Sequence, residues 1–286
     1  MNILVIGGTR FFGIPMVKAL IKRGHDITIA TRGNLQLDFY DNTSHVTLDR
    51  TDETSIKKAI GGQHFDVIID KIAYSSNDVK NLLEHVTCDK YIQMSTCSVY
   101  PKCHENITEG EFDTPSYPLR WIDRISDYQE TKRQAERAVL EYLDSDRYSF
   151  VRYPVVMGEN DYTGRLKFYV DHIKEQKPMF IDDIDKNLSF INEDEAGLFI
   201  AHLADHFISG PVNGCSKGSV TIKDIISYVE KKTGQKAILT DDGERAPYNG
   251  YCDTNTFNTD KACSTGFVFS HIEDWIYQLL DKYMEE

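Results

Sequence analysis

The stretch Asn2-Ile3-Leu4-Val5-Ile6-Gly7-Gly8-Thr9-Arg10-Phe11-Phe12-Gly13 decides the fold. Residues 2–7 are a short β-branched run. Glycines follow at 7, 8 and 13, and then Ile14, Val17, Ala19, Leu20 and Ile21 keep helical spacing until Gly24. The reading is strand, tight turn, helix. Pro15 falls in the first helical turn, where its missing N–H costs nothing. Glycine lets the backbone approach a ligand closely, and a helix N-terminus offers free N–H groups and a positive dipole end. A strand-to-helix turn of this composition, from Gly7 through Thr9 and Arg10 to Gly13, therefore reads as a seat for a dinucleotide pyrophosphate.

The alternation continues outward. Strands are expected at 26–31 (DITIAT), 46–48 (VTL), 65–70 (FDVIID), 90–95 (KYIQMS) and along YSFVRYPVVM, with helices near 54–60, 77–86 and 127–143. Continuous apolar strands alternating with helices indicate a parallel sheet covered on both faces. A Pro- and acid-rich loop spans 101–125. Beyond about 155 the pattern is less regular, with helices near 165–175 and 193–207, along VTIKDIISYVEKKTG, and at 271–284. We expect a dinucleotide-binding domain of 1–154 plus about 186–215, and a smaller substrate lobe of 155–185 and 216–286.

Composition narrows the function classes. The chain has 286 residues, 41% hydrophobic and 27% charged, the profile of a soluble globular protein. No stretch approaches the roughly 18 apolar residues of a membrane span, and the N-terminus lacks the features of a signal peptide. Acidic residues number 45 against 32 basic, for a net charge of −13, which opposes a nucleic-acid partner. Six cysteines without a CxxC pair read as reduced thiols and a cytoplasmic location. His202 and His206 stand at i, i+4 but lack HExxH chemistry, so no metal is expected. The acidic run 182–185 reads as a solvated loop.

In NAD-binding folds a carboxylate about 20 residues past the turn binds the ribose 2′-OH. Here β-strand 26–31 ends in Thr31-Arg32-Gly33, and Asp26 precedes it. Arg32, with Arg10, suits a 2′-phosphate instead, so NADP is favoured over NAD. Two YxxxK spacings occur, Tyr128/Lys132 and Tyr228/Lys232. Tyr128 opens the helix after the fourth long strand, where parallel strands turn their carboxyl ends to a ligand; Tyr228 lies in an amphipathic helix of the smaller lobe and reads as a core residue. A tyrosine working as acid and base near pH 7 needs its pKa lowered by about 3 units, or about 4 kcal/mol. An ammonium one helical turn away, with a positive nicotinamide, could supply that. Hydroxyls cluster at Ser95-Thr96-Cys97-Ser98.

Together these residues resemble the extended short-chain dehydrogenase/reductase family of NAD(P)-dependent sugar-nucleotide epimerases and dehydratases. GGTRFFG is similar to its GxxGxxG, STCSVY to SSxxVYG, ITE at 107–109 to the short acidic motif, YQETK to YxxxK, and RYPVVMG to RxxNVYG. FINEDEAGLFIAHL and PVNGCSKGSVTIKDI resemble two later family segments. The resemblance covers nearly the whole chain and implies a doubly wound Rossmann-type α/β sheet with an interwoven C-terminal lobe.

It further implies that Tyr128 is the acid/base, that Lys132 binds the nicotinamide ribose and lowers the tyrosine pKa, and that Thr96 holds the reacting oxygen. Asp49, with Arg50 beside it, would contact adenine. Ile72 and Ala73 would line the cleft, and Tyr153 with Pro154 would flank the nicotinamide. Phe11 and Phe12 belong to the turn, as packing under the helix more than as specificity elements. A homodimer through the Tyr128 helix and the 77–86 helix is implied as well.

Departures sharpen the reading. Arg10 replaces the middle glycine. Cys97-Ser98 stand where family dehydratases carry Asp-Glu, which disfavours 4,6-dehydration. Val155 and Leu188 replace an asparagine and an arginine that grip the nucleotide diphosphate, leaving Arg165 and Arg245 as substitute anion clamps. We therefore expect an NAD(P)-dependent epimerase or reductase acting on a small molecule, in the first instance a nucleotide sugar. The alternative is a non-catalytic NADP-binding regulatory or RNA-binding module, because Arg10 and Thr-Arg-Gly also resemble the branch of chloroplast stem-loop-binding proteins.

Overall fold

The computed structural model describes residues 1–34, 39–251 and 254–286. β1 (Asn2–Ile6) runs through the glycine turn into α1 (Gly13–Lys22). Then come β2 (Asp26–Thr31), β3 (Ser44–Thr47), α2 (Glu53–Ile60), β4 (His64–Asp70), α3 (Ser76–Leu83), β5 (Thr87–Thr96), α4 (Tyr128–Val139) and β6 (Tyr148–Tyr153). The rest includes β7 (Val155–Met157), α5 (Arg165–Lys174), β8 (Pro178–Phe180), β9 (Asn187–Leu188), β10 (Phe190–Asn192), α6 (Glu193–Asp205), β11 (Gly210–Asn213), α7 (Ile222–Thr233), α8 (Asp260–Cys263) and α9 (Ile276–Glu285). Seven strands form one parallel sheet in the order β11-β6-β5-β4-β1-β2-β3. Strand order reverses between β1 and β4, which opens a crevice at their carboxyl ends.

The two-residue period of β1 divides the core. Ile3 and Val5 pack with Met16, Val17 and Leu20 of α1 and with Phe199 and Ile200 of α6. Leu4 and Ile6 pack on the other face with Ile56, Val79, Leu82, Ala135 and Ala138 of α2, α3 and α4. All are essentially inaccessible to water. Gly197 lets α6 cross the start of α1 directly: a Cβ there would lie 2.5 Å from the Phe12 carbonyl oxygen. A third core gathers Leu166, Tyr169, Ile225, Val229, Ile276 and Leu280 from α5, α7 and α9.

Several expectations need adjustment. The helix expected over 127–143 ends at Val139, and YSFVRYPVVM splits at Pro154, which has no N–H for the ladder. β7 pairs instead with β10, outside the main sheet. Leu188 and Phe190 join the third core, while Ala262 and Phe269 join the α1/α6 core. Periodicity reports that a face is buried, not what it is buried against. Cys103 is disulfide-bonded, which corrects the all-reduced reading; Cys88, Cys97, Cys215 and Cys263 are free thiols. Among the described residues no helix is long and apolar enough to cross a membrane.

A buried charge pair locks α4 to the sheet. Arg152 on β6 and Glu136 on α4 meet at 2.7 Å with both side chains fully buried. Ser95 and Thr114 also donate to Glu136, at 2.5 and 2.8 Å. Burying two charges is favourable only when their remaining hydrogen-bonding groups are met, and removing one partner strands the other. Arg152→Met should therefore cost about 3–5 kcal/mol in urea unfolding; a loss under about 1 kcal/mol would show the pair to be dispensable.

Candidate active site

The glycine turn behaves as its composition suggests. Gly7 and Gly8 take φ +95°, and a Cβ on Gly13 would stand 2.7 Å from the Gly8 Cα, so turn and helix are in backbone contact. α1 has no side-chain cap and no acidic residue in its first turn. Among the described residues, no acceptor meets the backbone N–H groups of Thr9, Arg10 or Phe11. Orphan donors at a positive helix end suit an anion, so the turn fits the diphosphate of a dinucleotide.

Two cavities lie along the carboxyl ends of the strands. The first, about 330 Å³, is lined by Gly7, Thr9, Arg10, Arg32, Asp49 and Ile72, among others. The second, about 420 Å³, is lined by Phe11, Phe12, Thr96, Tyr128, Tyr153 and Arg165, among others. Lys71, Tyr74 and Tyr162 line both. The cavities therefore adjoin at those three side chains, one at the adenosine end of an expected cofactor and one at the nicotinamide end.

At the adenosine end the cavity wall holds Arg10, Arg32, Arg50 and Arg124 against a single carboxylate, Asp49. Asp49 accepts from the N–H and hydroxyl of Thr51, and these bonds with the nearby Arg32 hold it below the usual carboxylate range. Arg50 departs from the expected adenine contact. Its guanidinium turns inward to Asp70 at 2.6 Å and Asp78 at 3.5 Å, tying β4 to the start of α3. Ala73 is also withdrawn: it is fully buried, and its carbonyl accepts from Lys132.

In the second cavity, Tyr128 opens α4 behind an Asp127 cap, with its residue 43% exposed. Thr96 ends β5, and its hydroxyl oxygen accepts from the N–H of Ser98 at 3.1 Å. Burial of the phenol pushes Tyr128 up to about 12; Tyr74 adds to this, and a hydrogen bond with Thr96 opposes it. Lys132 reaches two carbonyls rather than the phenol. Its fully buried ammonium donates to the carbonyls of Ala73 at 2.8 Å and Met94 at 2.7 Å, and lies 5.2 Å from the Tyr74 ring centroid. Burial brings it down to about 8. Arg165 is the cation felt by Tyr128.

The remaining expected residues divide. Tyr153 is buried, donates to the Ala196 carbonyl at 2.7 Å, and meets Phe12 edge-on at 6.1 Å. Phe11 adopts φ +53° and turns its ring toward Tyr162. Leu188 contributes only apolar wall. Arg245 is exposed over Phe180 and lines neither cavity. Tyr228 and Lys232 both bond Asp281, away from the cleft. His202 is paired with the Thr265 carbonyl and stacks on His206. Asp182 pairs with Lys186, so the acidic run is only partly solvated. Sequence reading missed Lys71, Tyr74, Arg124, Tyr162 and Tyr251. Lys71 alone had a signal, since it follows β4 at the carboxyl edge of the sheet.

The chain belongs to the NAD dependent epimerase/dehydratase family, whose model matches residues 3–206. One relative is the chloroplast stem-loop binding protein of 41 kDa b of Arabidopsis thaliana, 32% identical over 141 residues. That match covers 40% of this chain and 37% of the relative, so it spans little over a third of the relative's length. Among solved structures, the UDP-glucuronic acid 4-epimerase of Bacillus cereus in complex with NAD aligns over 100% of this chain and 99% of its own, with 20% identity and a TM-score of 0.74. The UDP-glucose 4-epimerase of Thermotoga maritima with UDP-glucose aligns over 100% and 99%, with 17% identity and a TM-score of 0.73. These structures share the fold.

A lysine whose folded pKa is depressed to about 8 leaves the unfolded chain, near 10.5, holding more protons between those values. Stability should therefore rise with pH from 8 to 9.5, by about 1–2 kcal/mol for Lys132. Urea unfolding at both pH values checks this. Lys71 is brought down to the same value, so Lys132→Met should lose about half of the rise from the two lysines; an unchanged rise would mean the Lys132 ammonium stays charged.

Proposed function

We propose that this protein is an NADP-dependent epimerase or reductase acting on a hydroxyl or ketone carbon, in the first instance of a nucleotide sugar. The observation that carries the reading is the meeting, along one cleft, of an anion-seating glycine turn with Thr96 and Tyr128. Membership of a family described as NAD dependent supports a nicotinamide cofactor. The preference for the 2′-phosphate form rests on this chain's own Arg32 and Arg10 at the adenosine end.

The nicotinamide cofactor, when bound, supplies the hydride acceptor and donor and a positive charge beside the phenol. Free N–H groups of the turn would hold its diphosphate; Lys132, fully buried and lining neither cavity, would have only its third N–H for the ribose, the other two being given to carbonyls. Tyr128 takes the proton from the substrate hydroxyl as the ketone forms and returns it on reduction. Thr96 holds that oxygen. An epimerase reduces the ketone on its other face; a reductase releases its product. Arg165 is the cation available for an anionic substrate group. A 4,6-dehydration lacks its acid and base, because the Cys97 thiol is buried, donates to the Arg152 carbonyl and is pushed well up. A homodimer through α3 and α4 belongs to the same reading.

The stem-loop-binding relative favours a second reading, a non-catalytic NADP-binding module that holds RNA. A net charge of −13 opposes a polyanion, and this reading leaves Thr96, Tyr128 and Lys132 without a task.

A panel of nucleotide sugars and ketones, screened with wild type and Tyr128→Phe, tests the proposal. Loss of the phenol should lower turnover by about 100-fold or more while cofactor still binds; full activity in the variant refutes the mechanism. Arg32→Ala should weaken NADPH about tenfold or more and leave NADH nearly unchanged. Equal losses would refute the NADP preference.

A further inference from the structure

We infer that Lys71 binds the diphosphate bridge of the dinucleotide, as a charged wall opposite the glycine turn. The inference rests on the cofactor cleft proposed above and adds a residue that neither the turn nor the YxxxK pair contains.

Lys71 is the first residue beyond β4, at the sheet edge where strand order reverses. It lines both cavities, so a ligand that occupies the two passes it. Its Cβ lies 3.6 Å from where a Cβ on Gly7 would stand, directly across from the turn. Its ammonium sits 4.1 Å from the ring centroid of Phe12, the N-cap residue of α1. A cation–π contact thus holds the ammonium near the positive end of a helix, where an anion placed between them would be favoured by both.

Among the described residues Lys71 has no carboxylate partner. The carboxylates that line the cavities are engaged elsewhere, Asp49 with Thr51 and Asp161 with Thr163. Desolvation without a partner brings Lys71 down to about 8. A diphosphate here would meet the orphan N–H groups of the turn on one side and this ammonium on the other.

Titration calorimetry with NADP+, NAD+ and adenosine 2′-monophosphate tests the inference; the last carries the 2′-phosphate but no diphosphate. Lys71→Met keeps the packing on Phe12. It should raise the Kd of both dinucleotides by at least about tenfold, or 1.4 kcal/mol, and leave adenosine 2′-monophosphate within about twofold. Lys71→Arg should restore most of the affinity. Lys71→Gln gives the same reading if the methionine variant does not fold. Unchanged dinucleotide binding, or an equal loss for all three probes, overturns the inference and leaves the proposed activity standing. A wild type that binds neither dinucleotide overturns the proposed function itself, and this inference with it.

Discussion

Two carbonyls and one ammonium hold the candidate active site together. Lys132 reaches from α4 to the carbonyls of Ala73 and Met94, beyond β4 and near the end of β5. Those strands are neighbours in parallel register, so their carboxyl ends lie at one level. Tyr128 sits one turn earlier on the helix than Lys132, and Thr96 two residues after Met94. Fixing the ammonium therefore fixes the phenol over the hydroxyl. Glu136, one turn later, repeats the tie through Ser95 and Arg152. Placement to within a hydrogen bond is obtained from a helix that would otherwise slide over an apolar sheet face.

The same burial that positions these groups perturbs them. The Lys132 ammonium is brought down to about 8, and the Tyr128 phenol is pushed up to about 12. On the proposed reading, the chemistry would depend on positive charge arriving with the cofactor to lower the phenol again. Electrostatics across the molecule fit that dependence. The chain carries −13 overall, yet the adenosine-end cavity presents Arg10, Arg32 and Lys71 against one carboxylate, while Arg50 and Arg124 are drawn to Asp70 and Asp78. An acidic surface with a cationic cleft attracts a small anion and repels a long one.

Much of this was legible beforehand. Strands β1, β2 and β4 were readable because sheets covered on both faces need continuous apolar runs, and the glycine turn because close backbone approach excludes other residues. Tyr128 and Lys132 could be picked out by spacing and by their helix's place after the fourth long strand, and the hydroxyl run by its place at the end of β5, whereas only the family resemblance singled out Thr96 within it. Arg50 misled because its neighbour Asp49 faces the cleft, and only a fold places Asp70 and Asp78 behind it. Arg245 misled because charge alone does not bring a side chain to a cavity.

The linear chain determined which segments are strands and helices, since each depends on local periodicity and on glycine or proline at its ends. It also determined the donor and acceptor types around the cleft. Which of those groups meet was decided by packing. Lys71, Tyr74 and Tyr162 close on one another across roughly ninety residues of sequence, and β7 leaves the main sheet for β10. Whether a lysine faces a carboxylate, a carbonyl or a void depends on contacts between distant elements, and no local pattern encodes them.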